Sequence, residues 1–194
     1  MEPVKLLALD LDGTLLNSKK ELTPRTRAAL YAAAEAGVEI VPTTGRFFGA
    51  MPEAIRTLPF LHYAITINGA QVYDIRRDCA VSRAELPLEK TLRIMEYLDG
   101  FPVIYDCYMD NWGWITRSMQ SRAADYITNP HSLYMARELR HPVDELKAFL
   151  RERGQDVQKT QLFTADDALR LQLLRSIGEK FKGLSISSSV SCNV

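Results

Sequence analysis

"LLALDLDGTLLNS", residues Leu6–Ser18, is an apolar run that is interrupted by two aspartates. Residues 4–9 are apolar except for one lysine, a pattern typical of a parallel strand that is covered on both faces. Side chains two apart on an extended segment face the same side, so Asp10 and Asp12 are predicted to point together into one site. The alternative interpretation is that they are polar turn residues after a strand.

The two carboxylates suit phosphoryl chemistry, which needs a nucleophile and a proton carrier. One carboxylate can attack phosphorus and form an aspartyl-phosphate, while the other can protonate the leaving oxygen and then activate water. Such a pair also attracts Mg²⁺, which prefers oxygen ligands and binds substrate phosphate at the same time. Asp10 and Asp12 are therefore predicted as catalytic and metal-binding residues. Gly13 permits a sharp turn, and Thr14 can offer a hydroxyl and an amide to phosphate oxygens.

Strand and helix patterns alternate after this stretch. Thr23-Pro24 is typical of a helix start, and the helix is predicted to stop at Gly37. A strand follows at residues 38–42, a helical pattern runs from about residue 47 to 58, and a third strand begins at Tyr63. This alternation predicts an α/β fold with a doubly wound parallel, Rossmann-like sheet.

Polar residues follow the end of each predicted strand. Thr44, Gly45 and Arg46 come after the second strand, and Asn68 comes after the third. In sheets of this kind, ligands bind beyond the carboxyl ends of the strands. The segments that bear Asp10, Thr44 and Asn68 are therefore predicted to meet at one site.

The pattern changes from about residue 77 to short strands and amphipathic helices, which predicts a second, α+β domain. The predicted domains are residues 1–76 and 77–194. The second domain is predicted to contain a helix at 87–98, a hairpin of strands 103–109 and 112–116, a helix within 142–154, a strand at 157–163, a helix opening at Thr164, and a strand from Leu184.

Composition argues against several classes of protein. The 24 basic residues balance the 24 acidic residues, so a nucleic-acid partner is not expected. No apolar run approaches the roughly 20 residues that span a bilayer, and the chain lacks a recognisable signal peptide. The three cysteines, Cys79, Cys107 and Cys192, are far apart and form no CxxC motif, which argues against a disulfide framework or a zinc site. A soluble, cytoplasmic protein is expected.

"DLDGTLL" at residues 10–16 resembles the first motif of the haloacid dehalogenase superfamily of phosphohydrolases. "TTGR" at residues 43–46 resembles the second motif of its Cof-type branch, and "NGA" at residues 68–70 also fits that branch. The resemblance implies a magnesium-dependent phosphatase of small phosphorylated metabolites, with an α+β cap domain inserted after the second motif.

Transferred to this sequence, the resemblance assigns a role to each motif residue. Asp10 is implied to be the nucleophile and a Mg²⁺ ligand, and Asp12 the acid and base, with its main-chain carbonyl on the metal. Thr44 is implied to donate a hydrogen bond to phosphate, with Gly45 and Arg46 as the turn beside it. Alternatively, Thr44 and Arg46 are ordinary helix-capping and surface residues.

Asn68 has a weaker assignment than the other motif residues. In the Cof-type branch the matching asparagine lies close to the substrate phosphate. Asn-Gly, here Asn68-Gly69, also favours tight turns irrespective of function.

The family's third and fourth motifs, a lysine and acidic metal ligands, come after the cap. No aspartate follows Asp167 and no lysine follows Lys182; Lys182-Gly183 is the alternative candidate for the third motif. We therefore expect a truncated chain with an incomplete core, impaired turnover, and an apolar strand edge available for self-association. The alternative hypothesis is a non-catalytic module that binds phosphate ligands or a partner chain.

Overall fold

The computed structural model describes residues 3–188. The chain divides into two compact units, Met1–Ala84 and Glu85–Val194. The predicted boundary followed residue 76, and the assignment of the units to a core and a cap stays a prediction. Within the part of the chain that is described, no helix is long and apolar enough to cross a membrane.

The first unit is built on a five-stranded sheet with the order β1-β2-β3-β4-β5. Its strands are β1 (Leu6–Asp10), β2 (Glu39–Thr43), β3 (Tyr63–Thr66), β4 (Gln71–Asp74) and β5 (Cys79–Arg83). β1, β2 and β3 are parallel, whereas β4 and β5 are antiparallel additions. Asp10 pairs with Thr43, and Thr43 pairs with Ile65. The carboxyl ends of the three parallel strands are therefore in register at one edge of the sheet.

The first helix forms where the sequence predicted it. α1 (Pro24–Glu35) has Thr23 as its N-cap, and the Thr23 hydroxyl accepts a hydrogen bond from the Thr26 N–H. The predicted helix over residues 47–58 is wrong as a continuous element. A 3₁₀ turn at Phe48–Ala50 is followed by the single-turn α2 (Glu53–Arg56). Pro52 separates them, because proline lacks the N–H that would continue the helix.

β1 is less covered than its sequence predicted. Among residues 3–188 it pairs with β2 alone, and Val4 and Leu6 are 66% and 56% exposed. The prediction that both faces of this strand are covered is therefore wrong for the described residues. The open strand edge that was expected is present, while self-association through it stays a prediction.

The second unit is a four-stranded sheet with the order β8-β7-β6-β9. Its strands are β6 (Ile104–Met109), β7 (Trp112–Thr116), β8 (Arg140–Val143) and β9 (Lys159–Phe163). Its helices are α3 (Leu88–Leu98), α4 (Arg117–Ser121), α5 (Ala123–Tyr126), α6 (Pro130–Glu138), α7 (Leu146–Arg153) and α8 (Asp167–Lys180). Alternate residues of β6 share one hydrophobic core with residues of α3, α7 and α8, while Ile104 belongs to a smaller cluster with residues of α5 and α6.

The predicted α+β pattern of this unit is largely present. β6 and β7 form the predicted hairpin, and its turn residues Asp110 and Asn111 both have positive φ, as hairpin turns require. α8 begins later than predicted, with Asp166 as its N-cap. No strand lies at residues 184–188, and the rest of that prediction falls outside the described residues. Cys79 and Cys107 are free thiols; Cys192 lies outside the described residues.

Candidate active site

Asp10 lies at the carboxyl end of β1 and is exposed. Its carboxylate makes no hydrogen bond or ion pair with any of residues 3–188, although its main-chain carbonyl accepts a hydrogen bond from Leu15 N–H at 3.2 Å. A carboxylate that has no partner at the end of a parallel strand is available to a ligand. The position therefore suits the predicted nucleophile.

The loop after Asp10 is folded tightly back on itself. Leu16 N–H donates to the Leu11 carbonyl at 2.9 Å, and both leucines are buried, which anchors the two ends of the loop. Gly13 has φ +87°, a conformation that side-chain-bearing residues rarely adopt. The turn at Gly13 leaves Thr14 exposed beside it, where its hydroxyl and amide can meet a ligand.

Asp12 is held by two cations. Arg46 donates from Nε to Oδ2 at 2.9 Å and from Nη2 to Oδ1 at 2.8 Å, and Lys20 Nζ lies 2.8 Å from Oδ1. Burial by itself would raise the pKa of Asp12, but the hydrogen bonds and charges of Arg46 and Lys20 outweigh it and lower the pKa to about 2. Asp12 is therefore fully ionised at neutral pH.

The second predicted motif forms the loop beside Asp12. Thr44 N–H donates to the Ile65 carbonyl at 2.9 Å, which fixes the loop to β3. Thr44 Oγ1 accepts a hydrogen bond from Arg46 N–H at 3.2 Å. The Arg46 side chain is buried and also donates to the Ala50 carbonyl at 3.0 Å. Arg46 is thus not the surface residue of the alternative interpretation.

Asn68 belongs to a 3₁₀ turn, Ile67–Gly69, which connects β3 to the antiparallel β4. Asn68 and Ile67 both have positive φ, 56° and 54°. This conformation is strained for Ile67, because isoleucine is β-branched. Asn68 N–H donates to the Thr44 carbonyl at 3.1 Å and Ile67 N–H to the Arg46 carbonyl at 2.9 Å. Asn68 is therefore both a turn residue and a direct neighbour of the second motif.

Gly45→Ala is expected to disturb the contact between the second-motif loop and Asn68. A Cβ at Gly45 would lie 3.0 Å from Asn68 Nδ2 and 3.3 Å from its Cγ, so we expect the variant to lose about 1–3 kcal/mol of unfolding free energy in urea titrations, as overpacked sites do. Asn68→Gly removes the obstructing atoms and suits the positive φ. In the Asn68→Gly background, Gly45→Ala should lower the unfolding free energy only slightly. An equal loss in the wild-type and Asn68→Gly backgrounds would contradict the proposed clash.

The loops that bear Asp12, Thr44 and Asn68 contact one another, but one residue of the site, Lys20, was not predicted from the sequence. The structure brings Asp12, Arg46 and Lys20 together, and it brings Thr44 and Asn68 together through the shared loop. Lys20 lies in a polar stretch, "NSKKE", and no pattern in that stretch distinguishes it from the lysine beside it.

The donors of this site fit a hard cation such as Mg²⁺. Asp10 offers an unpaired carboxylate, and the Asp12 main-chain carbonyl accepts no backbone hydrogen bond from residues 3–188. The Asp12 carboxylate is already occupied by Arg46 and Lys20. The described residues contain no cluster of three or more acidic, histidine or cysteine side chains that could hold a metal. Waters and substrate phosphate would therefore complete a Mg²⁺ shell.

Two proteins that are similar to this chain are named as phosphatases. Pyridoxal phosphate phosphatase YbhA of Escherichia coli is 35% identical over 107 residues, which cover 55% of this chain and 39% of that protein. The 5-amino-6-(5-phospho-D-ribitylamino)uracil phosphatase YcsE of Bacillus subtilis is 37% identical over 71 residues, which cover 37% of this chain and 28% of that protein. The chain thus spans less than half the length of these relatives in the matched regions.

The fold and the family are shared over nearly the whole chain. A haloacid dehalogenase-like hydrolase from Bacteroides thetaiotaomicron superposes with a TM-score of 0.79 at 20% identity, over 98% of this chain and 70% of that one. The haloacid dehalogenase-like hydrolase family matches residues 7–193. This chain belongs to the haloacid dehalogenase-like hydrolase family.

Proposed function

We propose that this protein is a magnesium-dependent phosphatase of small phosphorylated metabolites that works through an aspartyl-phosphate on Asp10. The observation that carries the proposal is the exposed, unpaired Asp10 carboxylate at the edge where three strand-end loops meet. Membership of a hydrolase family and similarity to proteins named as phosphatases support the phosphatase activity in this proposal.

In the proposed reaction Asp10 attacks phosphorus and the alcohol of the substrate leaves. In this proposal the exposed Thr14 offers its hydroxyl and amide to phosphate oxygens, and the buried Thr44 offers its hydroxyl, since its N–H already donates to the Ile65 carbonyl. When bound, Mg²⁺ would be held by the Asp10 carboxylate and the Asp12 carbonyl and would neutralise phosphate charge.

Asp12 is the proton carrier of the proposed reaction. Its carboxylate is ionised, since Arg46 and Lys20 lower its pKa to about 2, and it takes a proton from the water that hydrolyses the aspartyl-phosphate. In the first half of the next cycle Asp12 gives that proton to the leaving oxygen, so that the substrate departs as a neutral alcohol.

Phosphate release with and without Mg²⁺ tests the proposal. Suitable substrates are p-nitrophenyl phosphate, pyridoxal phosphate and other small phosphate esters, since one relative is named for pyridoxal phosphate. We expect release to rise at least about 10-fold on adding Mg²⁺ and to be lost in excess chelator. Binding of these esters with no release above the blank would overturn the proposal and favour a non-catalytic phosphate-binding module.

A further inference from the structure

Lys20 reaches Asp12 from a turn with its own internal bonding, the Asn17–Glu21 turn. Asn17 Oδ1 accepts hydrogen bonds from the N–H groups of Lys19 and Glu21, both at 2.9 Å. Lys20 N–H donates to the Asn17 carbonyl at 2.9 Å, and Asn17 N–H donates to the Glu21 carbonyl at 3.0 Å. Asn17 thus organises the whole turn through both its side chain and its main chain.

The turn places Lys20 in a backbone conformation that few lysines adopt. Its φ is +63°, in the left-handed region, which costs about 1–3 kcal/mol for a residue with a side chain. From there its Nζ lies 2.8 Å from Asp12 Oδ1. Its neighbour Lys19 is exposed, and the Lys19 side chain has no ion pair with the described residues. Only one of the two adjacent lysines is therefore directed at the site.

The ion pair between Lys20 and Asp12 adds little stability of its own. The side chains of Lys20 and Asp12 are 37% and 34% exposed, and ion pairs with that exposure usually contribute no more than about 1 kcal/mol. The strained backbone at Lys20 offsets a gain of that size. Arg46 already binds both oxygens of Asp12, so Lys20 adds a second charged donor on Oδ1. Strain beside a candidate catalytic carboxylate points to a functional reason.

We propose that Lys20 is a positioning residue that, together with Arg46, holds the Asp12 carboxylate in a single orientation for the reaction. The inference rests on the proposed phosphatase function. Arg46 donates from Nε and Nη2 to the two carboxylate oxygens of Asp12, and Lys20 donates to Oδ1 from the Asn17–Glu21 turn. With Lys20 removed, Asp12 keeps one charged partner and its side chain gains freedom to rotate.

Lys20→Met, Lys20→Arg and Lys19→Met test the proposal on the full chain. We expect Lys20→Met to lower kcat about 10-fold with KM changed less than about 2-fold, because an orientation effect acts in the transition state. Lys20→Arg, which restores a cation, should recover most of kcat, and Lys19→Met should match the wild type. An unchanged kcat in Lys20→Met, with wild-type turnover present, would overturn the proposal.

An independent readout separates this inference from the proposed function. If the wild type shows no Asp10-dependent turnover, the proposed function fails, and the side-chain couplings of Asp12 measured by NMR decide the question about Lys20. One rotamer of Asp12 in the wild type and rotamer averaging in Lys20→Met would support positioning. One and the same rotamer in both proteins would overturn it.

Discussion

Asp10→Asn is expected to lower magnesium-dependent phosphate release by at least about 10³-fold, because it removes the nucleophile of the proposed reaction. Asparagine has nearly the same shape, but its amide is a very weak nucleophile for phosphorus. The Asp10 side chain is exposed and has no hydrogen-bond partner among residues 3–188, so the change breaks no structural contact. We therefore expect unfolding free energy to change by less than about 0.5 kcal/mol, as for ordinary surface substitutions.

Asp144→Asn provides a matched control for this experiment. Asp144 is also an exposed aspartate, its side chain is 97% exposed, and its ion pair with Arg117 is long at 3.5 Å. The same chemical change there should leave phosphate release unaltered. Mass spectrometry of the wild type quenched during turnover should show phosphate on Asp10. Equal turnover in Asp10→Asn and the wild type would remove Asp10 as the nucleophile.

Local signals in the sequence predicted the parallel half of the first sheet. The apolar run before Asp10 and the Thr23-Pro24 helix start correspond to β1 and α1, since an apolar run and a helix cap are patterns of residues close in sequence. β4 and β5 were not predicted as a continuation of this sheet. Only four residues separate β3 from β4 and β4 from β5, a spacing that favours antiparallel hairpins, but the change of pattern near residue 77 indicated the start of a second domain. The exposure of Leu6 depends instead on what covers β1, which the local pattern does not record.

Most members of the candidate site could be predicted, whereas Lys20 and the pairing of Arg46 with Asp12 could not. The polar residues after each predicted strand indicated that the segments bearing Asp10, Thr44 and Asn68 meet, and the register of the sheet agrees. The bidentate contact of Arg46 with Asp12 joins residues 34 positions apart, and it depends on side-chain directions that no periodicity encodes. This contact, together with that of Lys20, also lowers the pKa of Asp12.

Arg140→Met is expected to cost about 3–5 kcal/mol of unfolding free energy, because it leaves a buried charge without its partner. Arg140 Nε donates to Asp106 Oδ2 at 2.7 Å, and the side chains are 2% and 0% exposed. Arg140 also donates to the Tyr108 hydroxyl at 2.6 Å. Asp106 Oδ1 has no hydrogen-bond partner among residues 3–188, so no hydrogen bond on that oxygen would compensate for the loss of Arg140. Urea unfolding followed by tryptophan fluorescence measures the loss in the second unit, since β7 carries both tryptophans.

Arg153→Met is the control that separates burial from the loss of an arginine. Arg153 Nη2 lies 2.9 Å from Asp110 Oδ2, but these side chains are 46% and 34% exposed, so this loss should stay below about 1 kcal/mol. Asp106→Leu combined with Arg140→Met removes both charges, and we expect it to recover most of the stability that Arg140→Met loses. Equal losses of unfolding free energy in Arg140→Met and Arg153→Met would show that burial of the ion pair is not the cause. Recovery in the double variant would show that the lone Asp106 carboxylate, rather than the missing arginine side chain, causes most of the loss.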